Sequence, residues 1–319
     1  YPSMLLEDLW SKKLYNTWGK NFLGNKNVST DLMMFRKTFR AAITASKILK
    51  VDAEKSERWS KYLKRVPDIE YGWRDGKGWY AICKDWDKVW PDFDEYLDHV
   101  RHSRWGCQAW PVFPGDYIDG DEEDGLAAVI RDIVADVDLL NLRPRTTVLG
   151  EFHGEATILP FIRLGMMEKF KAIRTLLLAH QYPSGKFSPW AAGSGKHVRT
   201  PACETWPLME NQYMQILGIT EMLMQSQGGT IRLFPFWPKD KSAAFQNLRA
   251  RGSFLVSAEY TPGTGLRSTI HSLKGNHCSF RWQQADLPSI SVEGKPVNFV
   301  VEGHNLIFET KIGEVYQIK

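Results

Sequence analysis

Two carboxylates could carry chemistry in this chain. Glu210 and Asn211 follow Pro207 at the head of an apolar helical pattern over residues 208–226 (Leu208, Met209, Met214, Ile216, Leu217, Ile219, Met222, Leu223, Met224). A helix apolar on most sides is expected to be buried. A carboxylate in its first turn meets unsatisfied N–H groups and the positive end of the helix dipole, and both keep it ionised. An ionised, firmly held carboxylate is what a general base must be. Plain dipole stabilisation would place the same residue there. Glu155 is the second candidate: with His153 it heads the stretch EFHGEATILPFIRLG, whose pattern stops at Gly165. Side chains two apart do not share a helix face, but at a helix start both can reach a cleft. A structural glutamate fits that position as well.

Other polar clusters carry less. Glu7 and Asp8 read as solvated helix charges. Cys83, Cys107, Cys203 and Cys278 are scattered without CxxC or Cys/His ligand spacing, so no zinc site is expected. The acidic run Asp119, Asp121, Glu122, Glu123 and Asp124 lacks the spacing of a calcium loop. GSGK in the 182–206 loop lacks the full phosphate-loop spacing and a preceding strand. No metal and no cofactor is expected.

The elements that must hold these residues fall into two kinds. From Thr30, DLMMFRKTFRAAITASKILK puts Phe35, Phe39, Ala42, Ser46 and Leu49 on one helical face, with Ser29 or Thr30 as N-cap. A second helix opens at Asp52 and ends before Pro67, which makes an αα-hairpin. Residues 67–123 show little helical period and many aromatics (Trp73, Trp79, Trp86, Trp90, Trp105, Trp110), so they read as a long functional loop. Helical patterns follow from Leu126 to about Leu140, before Gly165, and from Met166 to His180. The Gly/Pro/Ser-rich loop 182–206, with Glu204 and Trp206 at its end, reads as cleft wall. After Gly228 and Gly229 the pattern alternates: Phe254, Val256, Ala258 and Tyr260, then runs near 266–273, 277–282, 297–301, 306–309 and 315–318, with turns at Gly275-Asn276 and Glu293-Gly294. Residues 1–228 therefore form a helical domain and 229–319 a small antiparallel β-sandwich.

With 319 residues and a net charge of +4 of mixed sign, the chain can build a large core and shows no nucleic-acid stripe. No apolar run reaches membrane-spanning length and no signal peptide is visible. The 13 Trp suit a sugar-binding cleft or an aromatic core.

The run EMLMQSQGGTIRLFPFWP, followed by LRARGSFLVSAEY, resembles the C-terminal part of the inverting α-L-fucosidase family of glycoside hydrolases and its near relatives. The likeness reaches from about Ser29 to the C-terminus, and Phe113-Pro114-Gly115-Asp116 matches a Tyr-Pro-Gly-Asp-like turn of that family. It implies an α+β fold by segregation, in which helix pairs of an incomplete (α/α)6 toroid precede the β-domain. Glu210 takes the place of the general-base aspartate, with Asn211 beside it. Asp31 corresponds to a helix start facing the toroid axis. Gln108 stands where a sugar-contacting histidine is expected, with Trp105 before it and His99 and His102 further back, so the likeness leaves the sugar preference open. The implied ligand is an oligosaccharide, with neither nucleic acid nor membrane as partner. A periplasmic or secreted home follows from the likeness alone.

An inverting hydrolase needs an acid and a base roughly 6.5–9.5 Å apart. The family's acid motif and its two asparagines find no match in YPSMLLEDLW. Together with the start at Tyr1, this leads us to expect that the N-terminal half of the protein is missing and that these residues alone hydrolyse little. A non-catalytic glycan-binding protein on the same scaffold, or a polysaccharide lyase, are the other readings.

Overall fold

A computed structural model describes residues 27–101, 108–118, 125–135, 154–179, 209–282, 284 and 286–319; residues 89, 99, 154–157, 173, 176–179 and 209–215 are described by their backbone alone. The chain divides into two compact units, Tyr1–Gln215 and Ile216–Lys319.

In the first unit, α1 (Ser29–Leu49) and α2 (Ala53–Leu63) form the expected hairpin, turned by Lys50 and Asp52 in the left-handed region (φ 57° and 55°). Phe39 and Tyr62 meet across it, with ring centres 6.0 Å apart. The cap differs from expectation. Val28 holds the cap position without a side-chain hydrogen bond, and the Ser29 N–H donates to the Ile82 carbonyl at 2.9 Å. The helix start is thus satisfied by neighbouring backbone rather than by a hydroxyl. Burial differs too: α1 buries Ser29, Thr30, Leu32, Met33 and Ser46, while Phe35 and Leu49 are exposed. The reason is that α2 buries none of its own residues, so the hairpin packs chiefly through its first turn and its rings.

Residues 67–123 are not one long loop. Strands β1 (Tyr71–Arg74) and β2 (Lys77–Tyr80) pair antiparallel around Asp75-Gly76, whose positive φ values (52° and 74°) suit a tight hairpin turn. Helices α3 (Trp86–Val89) and α4 (Phe93–Arg101) follow. Strand β2 packs on α5 (Leu126–Ala135) so closely that a Cβ at Gly78 would lie 3.2 Å from the Val129 backbone. The Gly78 N–H and the Arg101 guanidinium both donate to Asp132 Oδ2, at 2.8 and 2.9 Å. Helices α6 (Gly154–Arg163) and α7 (Met167–Ala179) make a second consecutive pair. Helices and sheets thus make a mixed α+β protein; among the described residues, the helix pairs do not by themselves show a toroid.

Helix α8 (Met209–Leu223) ends sooner than residue 226, because Met224–Gln225 pair as strand β3 with β4 (Thr230–Leu233). Nor is the helix buried on all sides: Ile216 and Ile219 are 63 % and 57 % exposed, while Leu223 packs on the core of the second unit.

The second unit, beginning at Ile216 with the end of α8, carries a C-terminal β-domain. Strands β5 (Ala243–Ala250), β6 (Phe254–Thr261), β7 (Gly265–Ser272), β8 (Cys278–Arg281), β9 (Ile290–Val292), β10 (Lys295–Pro296), β11 (Val300–Glu302), β12 (Asn305–Phe308) and β13 (Val315–Ile318) complete it. Six strands run in the order β10-β9-β13-β7-β6-β5 and five in the order β11-β12-β8-β4-β3. The domain is not wholly antiparallel, since β4 pairs β8 in parallel. Alternate residues of both sheets (Ile231, Val256, Ile270, Phe280, Leu306, Tyr316) join one core, which is the period-two burial expected of facing sheets.

Candidate functional site

A recess of about 420 Å³ opens in the first unit, lined by Asn27, Leu32, residues 67–70, Trp79, Ala81 and residues 83–87. Its walls follow from local structure. After α2 the chain is pinned by Val66 and Ile69, both nearly inaccessible, and the Ala81 N–H donates to the Glu70 carbonyl at 2.7 Å. That bond lays the 67–70 segment alongside the end of β2.

The aromatic wall is held fast. Trp79 and Trp86 have ring centres 5.2 Å apart, and Trp86 stacks on Tyr96 at 4.1 Å. Tyr96 is fully buried, its hydroxyl donating to the Tyr80 carbonyl and accepting from the Ile82 N–H at 3.1 Å. Burial raises its phenol well above the usual value, so it remains a neutral prop.

The carboxylates in the lining are Asp68, Glu70, Asp85 and Asp87, with Lys84 among them. Asp68 is bracketed by Arg36 at 2.6 Å and by the Tyr117 hydroxyl at 3.1 Å. Burial first, and the Asp68 charge as well, raise the Tyr117 phenol and keep it a donor. Cys83 also lines the recess, yet burial foremost and the charge of Asp85 push its thiol up to about 12. A thiol that stays protonated at neutral pH is a poor nucleophile. Among the described residues, no cluster of three His, Cys, Asp or Glu is placed to hold a metal ion. Fixed indole faces beside carboxylates suit a polyhydroxylated ring: its C–H face covers an aromatic, and its hydroxyls donate to carboxylate oxygens.

Of the residues singled out from sequence, Asp31 lies in the first turn of α1, next to the lining residue Leu32 but outside the lining itself. Gln108 is buried, with 2 % exposure. The Phe113-Pro114-Gly115-Asp116 turn is a structural corner. Asp116 is gripped by Arg163 at 2.6 Å and Lys37 at 3.1 Å, and Arg163 also covers the Phe113 ring. A Cβ at Gly115 would come within 2.6 Å of the Trp110 carbonyl, so only glycine fits that approach. Glu210 and Asn211 are in the first turn of α8, and Glu155 in the first turn of α6, by their backbone alone. Trp105, His153, Glu204 and Trp206 lie outside the described residues, as do Glu7, Asp8, His102 and the 119–124 acidic run. Sequence reasoning did not single out Glu70 or Asp85 of the lining, and it named Trp79 and Trp86 only among the aromatics of residues 67–123. The Asp75-Gly76 pair between YGWR and KGWY was the signal that could have found the hairpin carrying Trp79.

Residues 225–318 match the family described as glycoside hydrolase family 95, C-terminal domain. The matched stretch begins in β3 and ends with β13, so it covers the β-domain and supports the C-terminal portion of a glycoside hydrolase. Among curated proteins none matches the chain.

Proposed function

We propose that the chain serves an inverting glycoside hydrolase of the α-L-fucosidase type, with Glu210 as the general base. The observation that carries this is the match of residues 225–318 to the C-terminal domain of a glycoside hydrolase family, directly after the helix that Glu210 opens. The recess beside Trp79 and Trp86 supports the glycan part of the reading. In the proposed reaction, the oxygen of a water attacks the anomeric carbon and the bond to the leaving oxygen breaks. Glu210 takes the water proton, and a second carboxylic acid, for which Glu155 is our candidate, protonates the leaving group.

Because these residues alone are expected to hydrolyse little, the test is hydrolysis of α-L-fucosides by the chain joined to the N-terminal half we expect, with and without Glu210→Gln. Loss of roughly a hundredfold or more in kcat, with sugar affinity unchanged, is expected. Equal turnover by the variant would remove Glu210 from the mechanism. A second reading is a glycan-binding protein without hydrolysis, for which the recess beside Trp79 and Trp86 in the first unit speaks. Sugar binding that ignores Glu210→Gln, without turnover of any glycoside, would support it.

A further inference from the structure

A groove of about 280 Å³ crosses the six-stranded sheet of the β-domain, and strand register explains its shape. Phe245, Ala258, Ser268 and Ile318 stand in one cross-strand row over β5, β6, β7 and β13. All four are buried, and three of them belong to the core between the sheets. Their side chains point inward, so their backbone alone floors the groove. Successive side chains of a strand point to opposite faces, so the rows on either side turn outward and make the walls. One wall is Ala244, Glu259 and Arg267, with Lys319 at its end. The other is Gln246, Ser257, Thr269 and Gln317. No described residue of the five-stranded sheet lines the groove, which puts it on the outer face.

The walls are polar and largely uncommitted. Glu259 and Arg267 stand directly opposite each other on β6 and β7, where opposite charges usually pair. Among the described residues no ion pair joins them. Nor do the side chains of Gln246, Thr269 and Gln317 hydrogen-bond to any described residue. Ser257 is the exception, its Oγ accepting from the Asn247 N–H at 3.0 Å. That bond holds a β-bulge, with Asn247 at φ 56° and the register shifted between Phe245 and Leu248. Bulges bend a strand and re-aim side chains beside binding sites. This one sets Gln246 at the β5 end of the groove.

We propose that this groove binds a short neutral oligosaccharide. Every sugar hydroxyl both donates and accepts, and the walls offer amides, hydroxyls, a carboxylate and a guanidinium to match. Four strands about 4.8 Å apart give a length of roughly 14 Å, which takes a chain of rings rather than one. Other occupants fit less well. A peptide that adds as a strand needs a free sheet edge, whereas β6 and β7 are paired on both sides. A polyanion would meet Glu259 beside the two cations. The groove is separate from Glu210 and from the Trp79–Trp86 recess. Only the choice of a fucosylated probe rests on the glycan reading above.

Titration of the whole chain with 2′-fucosyllactose and with cellotriose, both neutral trisaccharides, followed by amide NMR, tests it. At least one is expected to bind in the millimolar range and to shift the Ser257, Ser268 and Thr269 amides, with L-fucose and glucose about tenfold weaker. Gln246 and Gln317 are exposed, so their replacement by alanine should leave the fold intact. Gln246→Ala and Gln317→Ala combined should weaken the trisaccharide by about fivefold or more, and Thr269→Val, which keeps the shape, by about threefold. Groove amides unmoved by both trisaccharides, monosaccharides that bind as tightly, or an affinity unchanged in the variants would each overturn the proposal. Turnover plays no part in the readout. A chain that hydrolyses nothing yet shows these shifts keeps the groove, and an active hydrolase without them loses it.

Discussion

Two recesses, one in each unit, differ in what holds their walls. In the first unit, polar brackets do much of the positioning: Arg36 and Tyr117 on Asp68, Arg163 and Lys37 on Asp116, Arg101 on Asp132. In the β-domain, a recess of about 180 Å³ lined by Arg232, Lys239 and Arg281 borders the apolar core itself, since Leu233, Phe234 and Trp282 belong to both. Bracketed side chains depend on each partner, since a buried charge that loses its counter-charge remains uncompensated. Packed strands depend on volume. The lesson is that one domain should break at ion pairs and the other at cavities.

The sharpest test of that contrast is Phe280→Ala. Phe280 is fully buried between the sheets, and truncation leaves a cavity that should cost about 4 kcal/mol in a denaturant unfolding curve. A loss below about 1 kcal/mol would mean the core is not what holds the β-domain. Next is Asp116→Asn, which removes the carboxylate that the Arg163 guanidinium, 6 % exposed, meets at 2.6 Å. We expect about 3 kcal/mol, partly restored when Arg163→Met is combined with it. Simple additivity of the two changes would contradict the bracket.

The smallest effect is one the two domains share. Burial pushes the Cys278 thiol up to about 12, and Cys83 is raised to about 12 as well. An unfolded thiol titrates near about 8.5. The folded value is above the unfolded one, so the stabilisation is complete below about 8.5 and is lost as pH climbs towards 12. Melting temperatures measured from pH 8 to 9 should fall slightly, and fall less in Cys278→Ala. Parallel slopes would count against a buried neutral thiol.

How far the sequence was readable also follows the division. The β-domain was legible because Phe254, Val256 and Ala258, or Tyr316 and Ile318, alternate inward with period two and little else competes. Strands β4, β5 and β9 lie in the stretch read as β from Gly229 onward but were not named as separate runs. In the first unit the aromatic density of residues 67–123 hid a hairpin whose Asp-Gly turn was in plain view. Apolar composition also misled at α8, where Ile216 and Ile219 face outward. The polar brackets join residues far apart in the chain, such as Lys37 and Asp116, and no local pattern announces such a pair. The carboxylate roles assigned to Glu210 and Glu155 come from helix position and family likeness, and chemistry must decide them.

A glycosyl fluoride isolates that decision, because fluoride departs without needing a proton from a general acid while the attacking water still needs a base. Hydrolysis of α-L-fucosyl fluoride, followed by proton NMR of the first sugar released, is therefore the most direct measurement. The account predicts β-L-fucose as the initial product and a rate lowered roughly a hundredfold or more by Glu210→Gln. An α-configured first product, or a Glu210→Gln variant that releases fluoride as fast as the unaltered chain, would contradict it.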